Sequence, residues 1–378
     1  MVPRRTSARW VLVVCGGTHV ANHLAEYWQV LAPDPRLHFR LLLPSGERRQ
    51  ACTTPTRAVL PLRQVGQRWA KVFPWDLAVV ADHDEEGTPD PDRCPVVRLQ
   101  HGVPGKRLDD GIYAFGPRSF DDEGRLRFTR ILVSSEATRR LATRIDPAFA
   151  DVVAVVGSLD DDRLLAEARH RDEHRRRLGI APGDVVVLVT STWGPSGLFQ
   201  RLGDALLREA HALQGELRFI LSAHGLDYQP GPPGERVWGE YIASQTSQGF
   251  LVRDPGEDWV PYLVACDVVL TDHTSVATHA VLINRPVVHI RVPEGLLEPG
   301  SPIQRLHELT PEVREDASDL GDVLRAALLD GPHHELRDLA TQLNSYPGEA
   351  ASRIRRETYD LLRLEIPLTQ AIQGEALP

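Results

Sequence analysis

The chain has 378 residues, 42% hydrophobic and 25% charged, with a formal net charge of −9. That length exceeds what one core comfortably serves, so two domains are expected. The acidic balance argues against a nucleic-acid partner held on a broad basic face, and the lack of any apolar run near eighteen residues argues against a spanning helix.

The N-terminal MVPRRTSARW places basic residues before an apolar run, as a signal peptide does. Trp10–Cys15 is too short for that role and passes into Gly16-Gly17-Thr18, so it reads as a first β-strand. That turn lacks the full GxGxxG dinucleotide fingerprint. A helix over Val20–Leu31 and a strand over Leu37–Leu43 follow. After a polar, proline-punctuated stretch come DLAVVADHD (Asp76–Asp84) and PVVRL, which leads to His101. Ile131–Val133 is a strand, followed by a helix capped by Ser134 or Ser135 with Glu136 in its first turn, and Asp151–Gly157 closes this half. Short apolar runs followed by helices, not by hairpin turns, predict parallel βα units, hence an α/β fold with doubly wound sheets.

Between Ser158 and Gly183 lies a charged helix whose interleaved acids and bases read as a solvated face with i,i+4 pairs. The second half restarts the rhythm. It has a strand at Asp184–Thr192, a helix at Leu198–Leu213, the strand RFILSA and a Pro/Gly loop at Gln229–Glu235. A helix near Val237–Thr246, the short strand GFLVRD, a helical turn WVPYLVAC, the strand VVLTD and a strand at Arg285–Ile290 come next. Helices near Leu320–Leu328 and His334–Leu343 precede an amphipathic helix offering Ile354, Tyr359, Leu361 and Leu362 for burial. The expected division is 1–160, 161–345 and a C-terminal helix and tail, 346–378, packing back on the first domain.

The chemistry gathers at three strand ends, where open α/β sheets bind ligands. His101 ends one strand beside Gly102 and is placed to act as a general base; the alternative is a structural histidine bonded to a loop carbonyl. Pro104, Lys106 and Arg107 follow on the same loop, and two adjacent cations suit an anionic substrate, or else are simply solvated. Lysine occurs only at Lys71 and Lys106 in this arginine-rich chain. His224 ends a second strand and is suited to donate to a phosphate oxygen, or to a structural role. In the third, a strand ends at Asp272 and a helix begins within Thr274–Val276, so that hydroxyls and first-turn amides make an anion site, or a plain N-cap.

There is no P-loop and no HExxH. Asp82-His83-Asp84-Glu85 reads as a polar loop, since neighbours in an extended segment point to opposite sides, and no metal is expected. The widely spaced Cys15, Cys52, Cys94 and Cys266 lack zinc spacing and read as buried thiols of a cytoplasmic protein.

Taken together these segments resemble the CDP-glycerol glycerophosphotransferase family of teichoic acid synthesis. HGVPGKR (His101–Arg107) is similar to that family's HGTPLKR-type motif, and TDHTSVATHAVLINRPVV to its TDYSSVxFDxxxxxxPVI pattern. ILVSSEATRRL, VVGSLDDDRLL, VTSTW, LSAHG and GEAASRI resemble further family segments, in order from Val97 to Ile354. The resemblance implies a GT-B fold of two Rossmann-like domains facing across a cleft. It implies a metal-independent transferase with no cofactor beyond a CDP- or UDP-linked donor, acting on an acceptor hydroxyl. His101 would be the base, His224 a second catalytic group, and Gly102, Lys106, Arg107, Thr192, Asp272, His273, Thr274 and Ser275 the donor-binding set. His273 replaces a Tyr, Thr274 a Ser, His279 an Asp and Gly225 a Pro, and Gly194 follows Trp193 where a cation is expected. These departures bear on the donor's identity. A soluble acceptor is compatible with the acidic charge, as is peripheral membrane contact. The readings set beside the transferase are an epimerase or hydrolase of the same fold and a non-catalytic nucleotide-binding module.

Overall fold

The structure, a computed structural model, describes residues 8–43, 60–82, 86–105, 107–108, 111–112, 114–229, 236–331 and 334–366. The chain divides into two compact units. The first is Met1–His101, Ala114–Asp162 and Asn344–Pro378; the second is Gly102–Tyr113 and Arg163–Leu343. Among the described residues no helix is long and apolar enough to cross a membrane.

In the first unit, strands β1 (Arg9–Val14), β2 (Leu37–Leu42), β3 (Leu77–Val80) and β4 (Val96–Leu99) are joined by β7 (Arg130–Val133) and β8 (Val153–Val155). Two further short strands, β5 (Arg107–Leu108) and β6 (Gly111–Ile112), form an antiparallel pair of the second unit. The six strands are all parallel in the order β2-β1-β3-β4-β7-β8. The order reverses between β1 and β3, and the crevice at such a switch point is where α/β sheets take ligands. Alternate residues of β1 point to opposite faces, so Val11 and Val13 enter one core cluster while Leu12 and Val14 enter the other. Burial on both faces is why the strands read as unbroken apolar runs.

The C-terminal helix Ala350–Leu362 packs into the first unit, as its apolar stripe requires: Ile354, Tyr359 and Leu362 are buried with Leu24 and Leu31. Tyr359 Oη donates to Asp34 Oδ2 at 2.6 Å, and Tyr27 Oη lies 2.8 Å from Thr358 Oγ1. Burial pushes the Asp34 carboxyl up, but hydrogen bonds from Arg36 and Tyr359 outweigh it and hold it down at about 2.

The second unit holds β9 (Val185–Thr190), β10 (Leu217–Ser222), β11 (Leu251–Val252), β12 (Val268–Thr271), β13 (Val287–Ile290) and β14 (Glu312–Val313). They are parallel in the order β11-β10-β9-β12-β13-β14, the doubly wound arrangement that reverses between its first and fourth strands in chain order. The helix Pro302–Leu309 and β14 were not anticipated, although Ser301 with Pro302 at the first helical position is a recognisable start; Ser301 Oγ accepts from Gln304 N at 3.3 Å.

Two expectations are corrected. The charged segment is not one solvated helix: it breaks into Leu159–Glu167, a short turn Ala168–His170, and Arg171–Arg177. Arg175 is only 9% exposed, donating to the Ala265 carbonyl at 2.9 Å and pairing with Asp267, which also binds Arg171. One basic edge is therefore an anchor. The loop Gly102–Tyr113, grouped by chain order with the first half, belongs to the second unit. Val103 packs in that unit's core, and the Gly105 carbonyl accepts from Glu298 N at 2.7 Å.

Among the described residues Cys15, Cys94 and Cys266 form no disulfide and are buried, and burial pushes the thiols of Cys94 and Cys266 up to about 11 and about 12, so neither is a nucleophile at neutral pH. Cys52 lies outside the described residues.

Candidate functional site

In the first unit the strand ends carry Ala81 and Asp82 after β3 and His101 after β4, beside the switch point. His101 is half-buried, and its Nδ1 bonds the Ala81 carbonyl. A carbonyl only accepts, so Nδ1 carries the proton and Nε2 is the basic nitrogen of the neutral ring. The structural alternative and the general-base reading are thus compatible: the loop-carbonyl bond sets the tautomer a base needs.

A neighbour that sequence reasoning missed stands next to it. The His23 ring, on the helix Thr18–Leu31, has its centroid 6.2 Å from that of His101. His23 Nδ1 lies 3.0 Å from Asp160 Oδ2. His23, Glu26 and Asp160 offer ligand atoms all within 4.8 Å of one another. The signal was an HxxE pair on the helix after the first strand, since residues three apart share a helix face. Nothing local pointed to Asp160. Of the Asp82–Glu85 run, residues 83–85 lie outside the described residues.

In the second unit, Asp272 follows β12 at the switch point opposite the loop after β9. It is 0% exposed. Its carboxylate accepts from Ser191 Oγ at 2.8 Å, Thr192 N at 2.9 Å, Leu198 N at 2.8 Å and Thr274 N at 2.9 Å. Burial pushes its pKa up, against these bonds, which lower it. The carboxylate oxygens are thus engaged by protein donors from the loop after β9 and the turn after β12, whose positions Asp272 ties together. His273 is buried as well, while Thr192 and Thr274 are half-buried at the strand ends.

Ser275 departs from both expected roles in one respect. The helix starts at Val276 and has no side-chain cap; instead Ser275 Oγ accepts from Val103 N at 3.0 Å. The hydroxyl still has its own proton to donate. This bond explains Gly102, whose φ is +70° and where an added Cβ would lie 2.4 Å from Ser275 Oγ. Gly105 is seated as tightly, with an added Cβ 2.6 Å from Ile303 Cγ2. Arg107 has its backbone in β5, and Lys106 lies outside the described residues.

His224 follows β10 and is half-buried. Its Nδ1 accepts from Leu226 N at 3.1 Å, so in the neutral ring Nε2 carries the proton. This is the opposite tautomer to that of His101. Three residues on, Asp227 is 5% exposed, and hydrogen bonds from the Gln200 side chain and the Gly194 backbone lower its pKa against the effect of burial. Burial pushes its pKa up to about 6, and the nearby Asp272 charge adds to the shift. Sequence gave no sign of it, because an acid in a turn usually faces water.

The two sheets and their interleaved helices define an α/β protein of GT-B fold. No protein-family model and no curated protein sequence matches the chain. Solved structures do. The wall teichoic acid polymerase TagF aligns with a TM-score of 0.62 at 13% identity, over 98% of this chain and 90% of that one. Staphylococcus (S.) aureus MnaA bound to UDP gives 0.61 at 12% identity, over 95% and 99%. The UDP-GlcNAc 2-epimerase from Neisseria meningitidis bound to UDP-GlcNAc gives 0.57 at 14% identity, over 93% and 100%.

Proposed function

We propose that the protein is a metal-independent transferase that moves a glycerophosphate-, polyol-phosphate- or glycosyl-type group from a CDP- or UDP-linked donor to an acceptor hydroxyl. The observation that carries this reading is the pair of strand-end imidazoles with opposite tautomers: His101 presents a basic Nε2, and His224 presents an Nε2–H. In this reading His101 Nε2 takes the acceptor's hydroxyl proton as that oxygen bonds the donor's β-phosphorus. The bond from the β-phosphorus to the bridging oxygen breaks, releasing a nucleoside monophosphate. Attack at a sugar carbon would instead release the diphosphate. His224 donates to a phosphate oxygen, with the Ser275 and Thr274 hydroxyls and the cations Lys106 and Arg107 taking the remaining phosphate charge. Asp272 serves as a positioning residue. The fold shared with a teichoic acid polymerase supports the reading.

A second reading, a nucleotide-sugar epimerase or hydrolase, is favoured by the similarity to UDP-bound MnaA and the UDP-GlcNAc-bound epimerase. Product analysis with water as the only acceptor separates the two.

The test is a thermal-shift screen of CDP-, UDP-, GDP- and dTDP-linked donors. A ligand at a hundred times its Kd should stabilise by about 2.7 kcal/mol. His101→Ala should keep the shift and lose turnover, and EDTA should leave turnover intact. Flat responses to every donor would defeat the proposal.

A further inference from the structure

Two helices of the first unit bring three metal-ligating side chains together. His23 and Glu26 are three residues apart on the helix Thr18–Leu31, so they share one face. The adjoining face carries Val20, Leu24, Tyr27 and Leu31 into the core, and Tyr27 Oη lies 2.8 Å from Thr358 Oγ1. Packing therefore fixes the helix, and with it the side from which His23 and Glu26 approach. Asp160 comes from the first turn of the helix Leu159–Glu167. Its Oδ2 is 3.0 Å from His23 Nδ1, and ligand atoms of all three residues lie within 4.8 Å of one another.

Helix capping does not account for Asp160. Ser158 Oγ already accepts from Asp161 N at 3.1 Å at this helix start, and the Asp162 carboxylate accepts from Gly348 N at 2.6 Å and Ala350 N at 3.1 Å. Asp160 is only 9% exposed, so its carboxylate is held out of water and against His23. Negative charge gathers here. Burial raises the Asp162 pKa against the two amides, which lower it, and the neighbouring Asp161 and Glu349 charges add to the rise. Arg163, the only arginine or lysine in the sequence of the two helices, pairs with Asp258. Two carboxylates and a neutral imidazole would balance one dication.

We propose that His23, Glu26 and Asp160 bind a first-row transition-metal dication, zinc above all, with water completing its shell. The donor set carries the choice: an imidazole nitrogen favours zinc over magnesium and calcium, which take oxygen ligands. Donor atoms around a tetrahedral zinc at about 2.0–2.1 Å stand roughly 3.3 Å apart, so the 4.8 Å spread need close by no more than about 1.5 Å, within reach of the Glu26 side-chain torsions. The ion would take the place of the proton between His23 Nδ1 and Asp160 Oδ2 and tie the two helices together. It would sit next to the His101 ring, whose centroid is 6.2 Å from that of His23. No step of the transferase reading uses it, and the site stands or falls apart from that reading.

The test is isothermal titration calorimetry of the full chain, stripped with EDTA and dialysed, against zinc, magnesium and calcium chlorides. One zinc per chain should bind and raise the melting temperature, and magnesium and calcium should do neither. Glu26→Gln, His23→Gln and Asp160→Asn should each weaken zinc binding at least about a hundred-fold, since loss of an outer partner alone costs about ten- to a hundred-fold. His170→Gln, an exposed histidine of the second unit, should change nothing. Cobalt in place of zinc should give d–d absorption without a thiolate charge-transfer band, which separates this site from the cysteines. Glu26 is half-buried on its helix, and Glu26→Gln leaves the His23–Asp160 pair in place, so this variant decides the matter even where another fails to fold. No zinc binding, zinc held as tightly by the Glu26→Gln chain, a thiolate band with cobalt, or equal binding of magnesium would overturn the proposal.

Discussion

Removing the Asp272 carboxylate should loosen the loops at the carboxyl ends of β9 and β12 together. Four donors converge on it: three backbone amides (Thr192, Leu198 and Thr274) and the Ser191 hydroxyl. Hydrogen bonds to a charged acceptor contribute about 1.5–3 kcal/mol each, but a simple sum would overstate the effect. The carboxylate is wholly buried, and burial raises its pKa, so part of the gain already offsets its desolvation. A net loss of about 3–5 kcal/mol is expected for Asp272→Ala, the range for removing one partner of a buried charged network. Asp272→Asn keeps one acceptor oxygen for Thr192 and Thr274 but sets an amide N–H against Leu198 N–H, so about 2 kcal/mol is expected. Urea unfolding measures the loss. Hydrogen–deuterium exchange locates it, with faster exchange at 191–198 and 272–276 and little change in the first unit. Destabilisation by Asp272→Ala of less than about 1 kcal/mol, with exchange unchanged in both segments, would refute the argument.

Other outcomes follow from the same physics. Asp227 has its pKa raised to about 6 from an ordinary 3.8. The folded state thus holds its proton more tightly than the unfolded chain, and the cost appears as pH rises through 3.8 to 6. Asp227→Asn should stabilise by up to about 3 kcal/mol at pH 8 and not at pH 3, as read by melting curves at both pH values. His289, buried against His307 with ring centroids 4.1 Å apart, is held down at about 3 by burial and by that neighbour. Its depressed value contributes stability above pH 6.5 that is lost as pH falls towards 3, so His289→Gln should gain on wild type across that window, by a few kcal/mol at its foot. Gly102→Ala should cost about 1–3 kcal/mol through its positive φ and the contact with Ser275 Oγ. The cost should be smaller in a Ser275→Ala background, and equal costs in the two backgrounds would rule out the contact.

How much of this was legible in the chain depends on how local each cause is. Val11 to Val14 and Val186 to Val189 are apolar on both faces, and that alone names buried parallel strands. His101 and His224 could be read as strand-end residues for the same reason. The tautomer of each could not, because it depends on whether the facing atom is the Ala81 carbonyl or the Leu226 amide. Thr274 and Ser275 looked like caps because hydroxyls before a helix usually are. Which oxygen meets which amide was decided by the Gly102–Gly105 loop and by Asp272. The proximity of His23 to Asp160 arises between elements far apart in the chain. By itself the sequence determined the alternation of strands and helices and the two-part architecture, since periodicity and turn residues act over a few positions. Only the tertiary structure decided which polar atoms are engaged and which are buried, because hydrogen bonding and desolvation are settled by neighbours in space.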